Sequence, residues 1–295
     1  MADHKVLTGK DNWLFLRNDT NNLINQITGK YIVHDTIIDH WSNILKLRTS
    51  FFQSKGISYT YICAPNKECV YSDYLPNEVI LSNERPIEIL RPIFESTLGK
   101  NFCYPLSELR NNHLDTFSKG DTHWNQYGAF VAYNTLMHNM GVDNKIATSD
   151  IEFISSRRKG DLLSKIPGAI LDDVLLAKIN IPASISIEYD NNIQNRGKLV
   201  IINNSLALNN NTVVIFRDSF GSALVHFLAR TFSRVVAVWQ PNIDFGIVGE
   251  ENPRYVISEQ VERFIISPPN DISDSTNNKI CTSKNKNINK YYDIP

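Results

Sequence analysis

The sequence predicts an α/β fold: a central, mostly parallel sheet with helices packed on its faces. Three observations carry that expectation. An amphipathic stretch, residues 35 to 55, runs straight into a β-branched and aromatic stretch, Ile57 to Ala64. A continuous apolar run, Thr212 to Phe216, is followed at helical spacing by Phe220, Leu224, Phe227 and Leu228. A third helical pattern starts just after Asp121. Helices and strands alternating in this way build parallel sheets covered on both sides.

Each element has a local reason. Ile37, Ile38, Trp41, Ile44, Leu45, Leu47, Phe51 and Phe52 recur at helical spacing, and Gly56 supplies the stop. The strand that follows ends at Pro65. Tyr127, Phe130, Val131, Tyr133, Leu136, Met137 and Met140 mark the next helix, with Asn125 as cap and Gly141 as terminator. Thr212 to Phe216 and Arg234 to Gln240 read as buried strands, and Ile257 to Ile266 reads as a closing amphipathic helix. Residues 144 to 211 hold short β-like pieces, Ile185 to Tyr189 and Lys198 to Ile202, between Asn-rich turns, as an insertion carrying extra strands would. Residues 1 to 269 therefore form the one expected domain, with 144 to 211 as its possible insertion. Residues 270 to 295 are polar and are expected to be a mobile tail or a surface-hugging strap.

Composition narrows the function. The 295 residues carry 30 basic and 31 acidic side chains for a net charge of -1, so no overall field draws the chain to nucleic acid. Cys63, Cys69, Cys103 and Cys281 show no metal-site spacing and are too few for a disulfide scaffold. The N-terminus lacks the apolar core of a secretory signal, and no run approaches the about 20 apolar residues of a membrane span. That predicts a cytoplasmic protein, or a periplasmic one if a leader or anchor has been trimmed away.

Two distant motifs carry chemistry: Asp121-Thr122-His123-Trp124 and Arg217-Asp218-Ser219-Phe220-Gly221. A serine needs an imidazole to take its proton and a carboxylate to orient that imidazole. Asp121, His123 and Ser219 are the right types. Ser219 falls at a strand-to-helix turn, where doubly wound proteins place reactive groups and where main-chain N–H groups can hold an oxyanion. The competing reading is a helix N-cap serine. For Asp121 and His123 it is a surface histidine beside an acid. No metal is expected, because His113, Asp115 and His138 lie near His123 in sequence without ligand spacing.

Several ordered blocks then resemble one family. Gly9 to Leu16, Ala64 to Pro76, Asp121 to Ala129, Lys159 to Leu163, Val214 to Gly221 and Glu262 to Phe264 look like the motifs of the SGNH-hydrolase-like family of alginate O-acetyltransferases J and X, in the same order. The resemblance spans roughly residues 9 to 265. It implies a three-layer SGNH-like sandwich and a triad of Asp121, His123 and Ser219. Two positions depart from the family pattern: Asn12 replaces a usual glycine, and Ser72 a usual proline. The alginate enzymes work in the periplasm and receive acyl groups through a membrane partner, so a cytoplasmic version needs a soluble donor such as acetyl-CoA.

The expected function is O-acetyl transfer through the triad onto a carbohydrate hydroxyl, as on a bacterial capsular or other surface polysaccharide or its precursor. No bound cofactor is expected; the partners are the carbohydrate acceptor and the acetyl donor. Alternatives are a carbohydrate esterase of SGNH type and an inactive carbohydrate-binding module. Lys67, Arg217, Trp124 and Trp239 are the candidate substrate-binding residues; Lys67 could also neutralise or position an active-site group or be a surface lysine, and both tryptophans also read as core. Arg217 and Asp218 could pair or orient the turn. Asn203, Asn204 and Asn242 are oxyanion donors by type only. The Ser156 to Lys159 match to a Ser-x-x-Lys motif reads as a solvated loop.

Overall fold

A computed structural model describes residues 5–17, 19–273 and 276–284. In chain order the elements are β1 (Val6–Thr8), β2 (Leu14–Leu16), α1 (Leu23–Ile27), α2 (Asp35–Ser54), β3 (Ser58–Ala64), α3 (Lys67–Val70), α4 (Pro86–Leu98), β4 (Phe102–Cys103), α5 (Leu106–Arg110), α6 (Gln126–Met140), β5 (Ile151–Arg158), β6 (Asp172–Ile179), β7 (Ile185–Asp190), β8 (Leu199–Asn204), β9 (Asn209–Arg217), α7 (Gly221–Thr231), β10 (Phe232–Trp239), α8 (Phe245–Glu251), β11 (Tyr255–Val261) and α9 (Asn277–Ser283).

The main sheet has seven strands in the order β4-β3-β11-β9-β10-β8-β7. The first five run parallel, and β8 and β7 add antiparallel pairings at one edge. Alternate residues of each strand serve opposite faces. Val213 and Ile215 of β9 join Phe130, Tyr133, Leu224 and Phe227 of α6 and α7 on one side. Val214 and Phe216 join Trp41, Leu45, Leu90 and Phe94 of α2 and α4 on the other. The expected α/β sandwich is thus present, and its central strand leads to Ser219.

The local signals behave as their chemistry requires. The Asn125 side chain caps α6 by accepting from Gly128 N, and Gly141 ends the helix at φ +68°. Asn12 sits at φ +61°, a left-handed conformation that Asn tolerates almost as glycine does, which accounts for the family's glycine there.

Two expectations change, and the C-terminal stretch takes one of its two expected forms. Residues 255 to 261 form β11 at the heart of the sheet, not a closing helix, and only a short 3-10 turn, Glu262–Phe264, follows. Helical spacing of the apolar residues misled because the intervening polar residues are buried and paired. Ser258 accepts from Tyr59 Oη at 3.0 Å, Glu259 accepts from Asp218 N at 3.1 Å, and Gln260 accepts from Tyr61 Oη at 2.7 Å. Residues 144 to 211 are not one unit, since β5 and β6 form a separate antiparallel ribbon whereas β7 and β8 extend the main sheet. In the C-terminal stretch, Asp271 meets buried Arg48 and α9 buries Asn277, Ile280 and Cys281. Those residues form a strap; positions 274–275 and 285–295 of the expected tail lie outside the described residues.

Candidate active site

β9 ends at Arg217, and two residues later the turn into α7 exposes Ser219. Buried Asp218 fixes this turn. Its carboxylate accepts from Phe220 N at 2.8 Å and from Val261 N at 2.7 Å, tying the turn to the end of β11. Burial pushes the Asp218 carboxyl up, against the pull of those two N–H groups and the charges of Arg263 and His123. Arg217 does not pair with the Asp218 carboxylate. Its guanidinium donates to the Asp218 carbonyl at 3.0 Å and to Ser222 Oγ at 2.8 Å, so it orients the turn.

The loop before α6 brings His123 to this turn. His123 Nε2 lies 2.8 Å from Ser219 Oγ, and Nδ1 lies 2.8 Å from Asp121 Oδ1. The same Asp121 oxygen accepts from His123 N at 2.8 Å, and Oδ2 accepts from Asp161 N at 3.2 Å. Burial raises the Asp121 carboxyl, but the hydrogen bond and charge of His123 with the two N–H groups outweigh it, leaving Asp121 below the ordinary carboxylate range. Asp121, His123 and Ser219 are therefore in relay contact. A proton can pass from Ser219 to an imidazole whose other nitrogen is held by a carboxylate.

The other candidates separate. Trp124 is buried, and its indole N–H donates to the Phe220 carbonyl at 3.0 Å, bolting the two motif loops together instead of facing a sugar. Lys67 is also buried, with Nζ donating to the carbonyls of Lys119 at 2.7 Å and Asp121 at 2.8 Å. It supports the loop from behind and cannot touch substrate. Arg217 stacks over Trp239 at 4.4 Å, and both line a cavity of about 400 Å³ with Asp218, Pro241, Gln260 and Phe264. The cavity is lined at the carboxyl ends of β9 and β10 by Arg217 and Trp239, with Asp218 of the Ser219 turn in its wall. Burial pulls the Arg217 guanidinium below its ordinary value.

For an oxyanion, the Ser219 N–H makes no hydrogen bond among the described residues. The next N–H group, on Phe220, is taken by Asp218 at 2.8 Å. Asn203 and Asn204 pair with Arg234 and Ile185, at the opposite end of the sheet. Asn242 is buried, with its carbonyl accepting from Gln240. Ser156 to Lys159 lie on the β5 ribbon and the loop after it, where Arg157, Arg158 and Lys159 are solvated.

Sequence reasoning missed Asp161. Its carboxylate accepts from Thr122 N at 2.7 Å and Thr122 Oγ1 at 2.5 Å, and Oδ2 stands 3.9 Å from His123 Nδ1. The signal was present in the Lys159 to Leu163 block, where Gly160 lets the chain pass so close that a Cβ would lie 2.1 Å from the Gly120 carbonyl oxygen. Asp121, His123 and Asp161 offer ligand atoms within 4.8 Å of one another. Both His123 nitrogens are, however, engaged by Asp121 and Ser219, which leaves that trio as a hydrogen-bond network.

Residues 6–237 match the family described as SGNH hydrolase-like domain, acetyltransferase AlgX. The chain belongs to that family. It is an enzyme, an acyltransferase of SGNH-hydrolase-like O-acetyltransferase type. No curated protein matches it. Among solved structures, Bacillus cereus PatB1 is similar at TM-score 0.66 and 16% identity, covering 88% of this chain and 96% of that one. The O-acetyltransferase domain of Pseudomonas putida AlgJ aligns at TM-score 0.56 and 17% identity, over 96% of this chain and 99% of that one. A DHHW family protein from Eubacterium siraeum aligns at TM-score 0.62 and 12% identity, over 90% and 94%. At these identities the three likenesses show the shared fold.

Proposed function

We propose that this acyltransferase carries an acetyl group on Ser219 and delivers it to a hydroxyl of a polysaccharide, a bacterial capsular or other surface glycan or its precursor. The observation that carries this reading is the unbroken relay from Asp121 through His123 to Ser219, with both contacts at 2.8 Å. His123 takes the Ser219 proton as Oγ attacks the acetyl carbonyl, and the Ser219 N–H faces the oxyanion. The donor's leaving group departs with the proton held by His123. The acetyl-enzyme then meets a sugar hydroxyl, which His123 deprotonates, and the ester forms on the glycan. Trp239 and Arg217 supply a stacking face and a cation for the acceptor in the 400 Å³ cavity. The donor is acetyl-CoA if the protein works in the cytoplasm, and an acyl group relayed by a membrane partner if it works in the periplasm.

One observation favours a second reading, a carbohydrate esterase. The side chains of Asp121 and His123 remain 28% and 31% exposed, so water reaches the relay in the free enzyme. Transfer requires the bound acceptor to displace that water. Incubation with acetyl-CoA or an aryl acetate and candidate glycans, followed by mass spectrometry, decides between them. Acetylated glycan supports transfer, and free acetate alone from every donor and acceptor supports the esterase. Ser219→Ala should lower turnover by about 10⁴-fold or more. Full activity in that variant would sink both readings, whereas no turnover of any donor by the wild type would leave an inactive carbohydrate-binding module.

A further inference from the structure

A lysine buried to 1% exposure is costly unless its charge does something, and Lys67 has no carboxylate within ion-pair distance among the described residues. Its nitrogen instead donates to the Lys119 and Asp121 carbonyls and lies over the rings of Trp13 at 5.1 Å and Phe15 at 5.6 Å. Leu14 N also donates to the Lys119 carbonyl at 3.0 Å. The opening hairpin, the segment after β3 and the loop before α6 thus meet at one ammonium. Asp121 is the residue whose carbonyl is gripped and whose carboxylate holds His123.

We infer that Lys67 is a positioning residue for the acyl-transfer relay: its charged nitrogen clamps the loop that aims Asp121 at His123, and the clamp weakens when that charge is lost. This rests on the relay reading proposed above. Charge-assisted hydrogen bonds are roughly twice as strong as neutral ones, and a neutral amine also forfeits its attraction to the two ring faces. The charged groups around Lys67 include Glu68 on its own helix, Asp121 on the gripped loop, Asp161 on the segment behind it and Asp172 at the start of β6, and the Lys119 ammonium lies over the same Trp13 ring at 5.9 Å. Burial pulls the ammonium down to about 8 despite those four carboxylates, which puts its titration within reach of an ordinary rate profile.

The test measures kcat and KM for an aryl acetate from roughly pH 7 to 10, the range that spans the shifted and ordinary lysine values, corrected for spontaneous hydrolysis. The wild type is expected to lose kcat above about pH 8, with KM little changed. Lys67→Met is expected to lower kcat about tenfold or more at neutral pH and to lack the alkaline fall. Lys67→Arg, which stays charged throughout, is expected to push that fall beyond the measured range. A wild-type kcat that is flat to pH 10, an unshifted fall in Lys67→Arg, or a Lys67→Met effect confined to KM overturns the inference. The wild-type profile and Lys67→Arg decide if Lys67→Met fails to fold. Ser219→Ala in the same assay separates the two proposals: if it stays active the relay reading fails, whereas if it is dead while Lys67→Met is unaffected only the Lys67 role fails.

Discussion

The main-chain N–H of Asp161 donates to Asp121 Oδ2 at 3.2 Å, so the carboxylate that holds His123 is itself held by a residue 40 positions away in sequence. The Asp161 side chain adds two bonds to Thr122, between Asp121 and His123. Asp161→Ala removes the side-chain bonds and leaves the main-chain one. We expect kcat for ester turnover to fall about tenfold, since small misplacements of a relay are expensive. Stability should fall by only about 1 kcal/mol, because water can replace bonds to a half-exposed carboxylate. Asp161→Asn, which retains one acceptor, should recover part of the rate. Unchanged kcat in the alanine variant would remove Asp161 from the site.

Gly160 and Gly120 make this contact possible. A Cβ on Gly160 would stand 2.1 Å from the Gly120 carbonyl oxygen and 2.9 Å from Asp121 Cβ. Gly160→Ala must therefore push the Asp161 segment away from the relay. The expected cost is about 1–3 kcal/mol in stability, from overpacking, together with a large loss of kcat. Gly249→Ala is the control, because nothing lies within 4 Å of its Cβ, and a residue inside α8 gains helix propensity from the change. Denaturant unfolding and initial rates on both variants check the contrast.

The parallel sheet was legible because its strands are short apolar runs and its helices carry clear stripes. β11 was not, since a central strand that ends beneath an active site buries Ser258, Glu259 and Gln260 against specific partners, and polar residues normally argue against burial. The residue types of the relay could be read from two motifs and the family resemblance. Which side of the loop a residue occupies could not. In sequence Lys67 reads equally as a substrate, positioning or surface group and Trp124 as a sugar platform or core; in the fold Lys67 points at two carbonyls and Trp124 at a third. Asp161 escaped because its role is to hold a neighbouring loop, and such a partner has no fixed spacing from the residues it supports.

The strap gives a stability prediction outside the Asp121–His123–Ser219 relay. Arg48 Nε and Nη2 meet the two Asp271 oxygens at 2.7 and 2.8 Å with both side chains fully buried, and Asp271 also accepts from Ile243 N at 2.8 Å. Asp271→Ala leaves a buried guanidinium without its counter-charge, which should cost about 3–5 kcal/mol. Replacing both members with apolar residues, Arg48→Met with Asp271→Leu, should restore much of that loss. Chemical denaturation of the single and double variants gives the comparison. Additive losses in the double variant would show that the pair is not coupled.

His226 on α7 sets an acid limit to stability. Burial, then the charge of Arg230, pulls its imidazole from 6.5 to about 4, so the folded protein keeps it neutral. The unfolded chain takes up that proton as pH drops below the ordinary value, and the folded chain does so only near 4. The contribution is therefore complete above about pH 6.5 and is lost as pH falls toward 4. Asp121 does not confuse this window: its carboxyl is depressed, so its contribution holds above the ordinary carboxylate value and disappears only at lower pH. Thermal melts of wild type and His226→Gln between these limits should show the wild type losing more Tm than the variant. Parallel declines would mean that His226 is not the group taking up the proton.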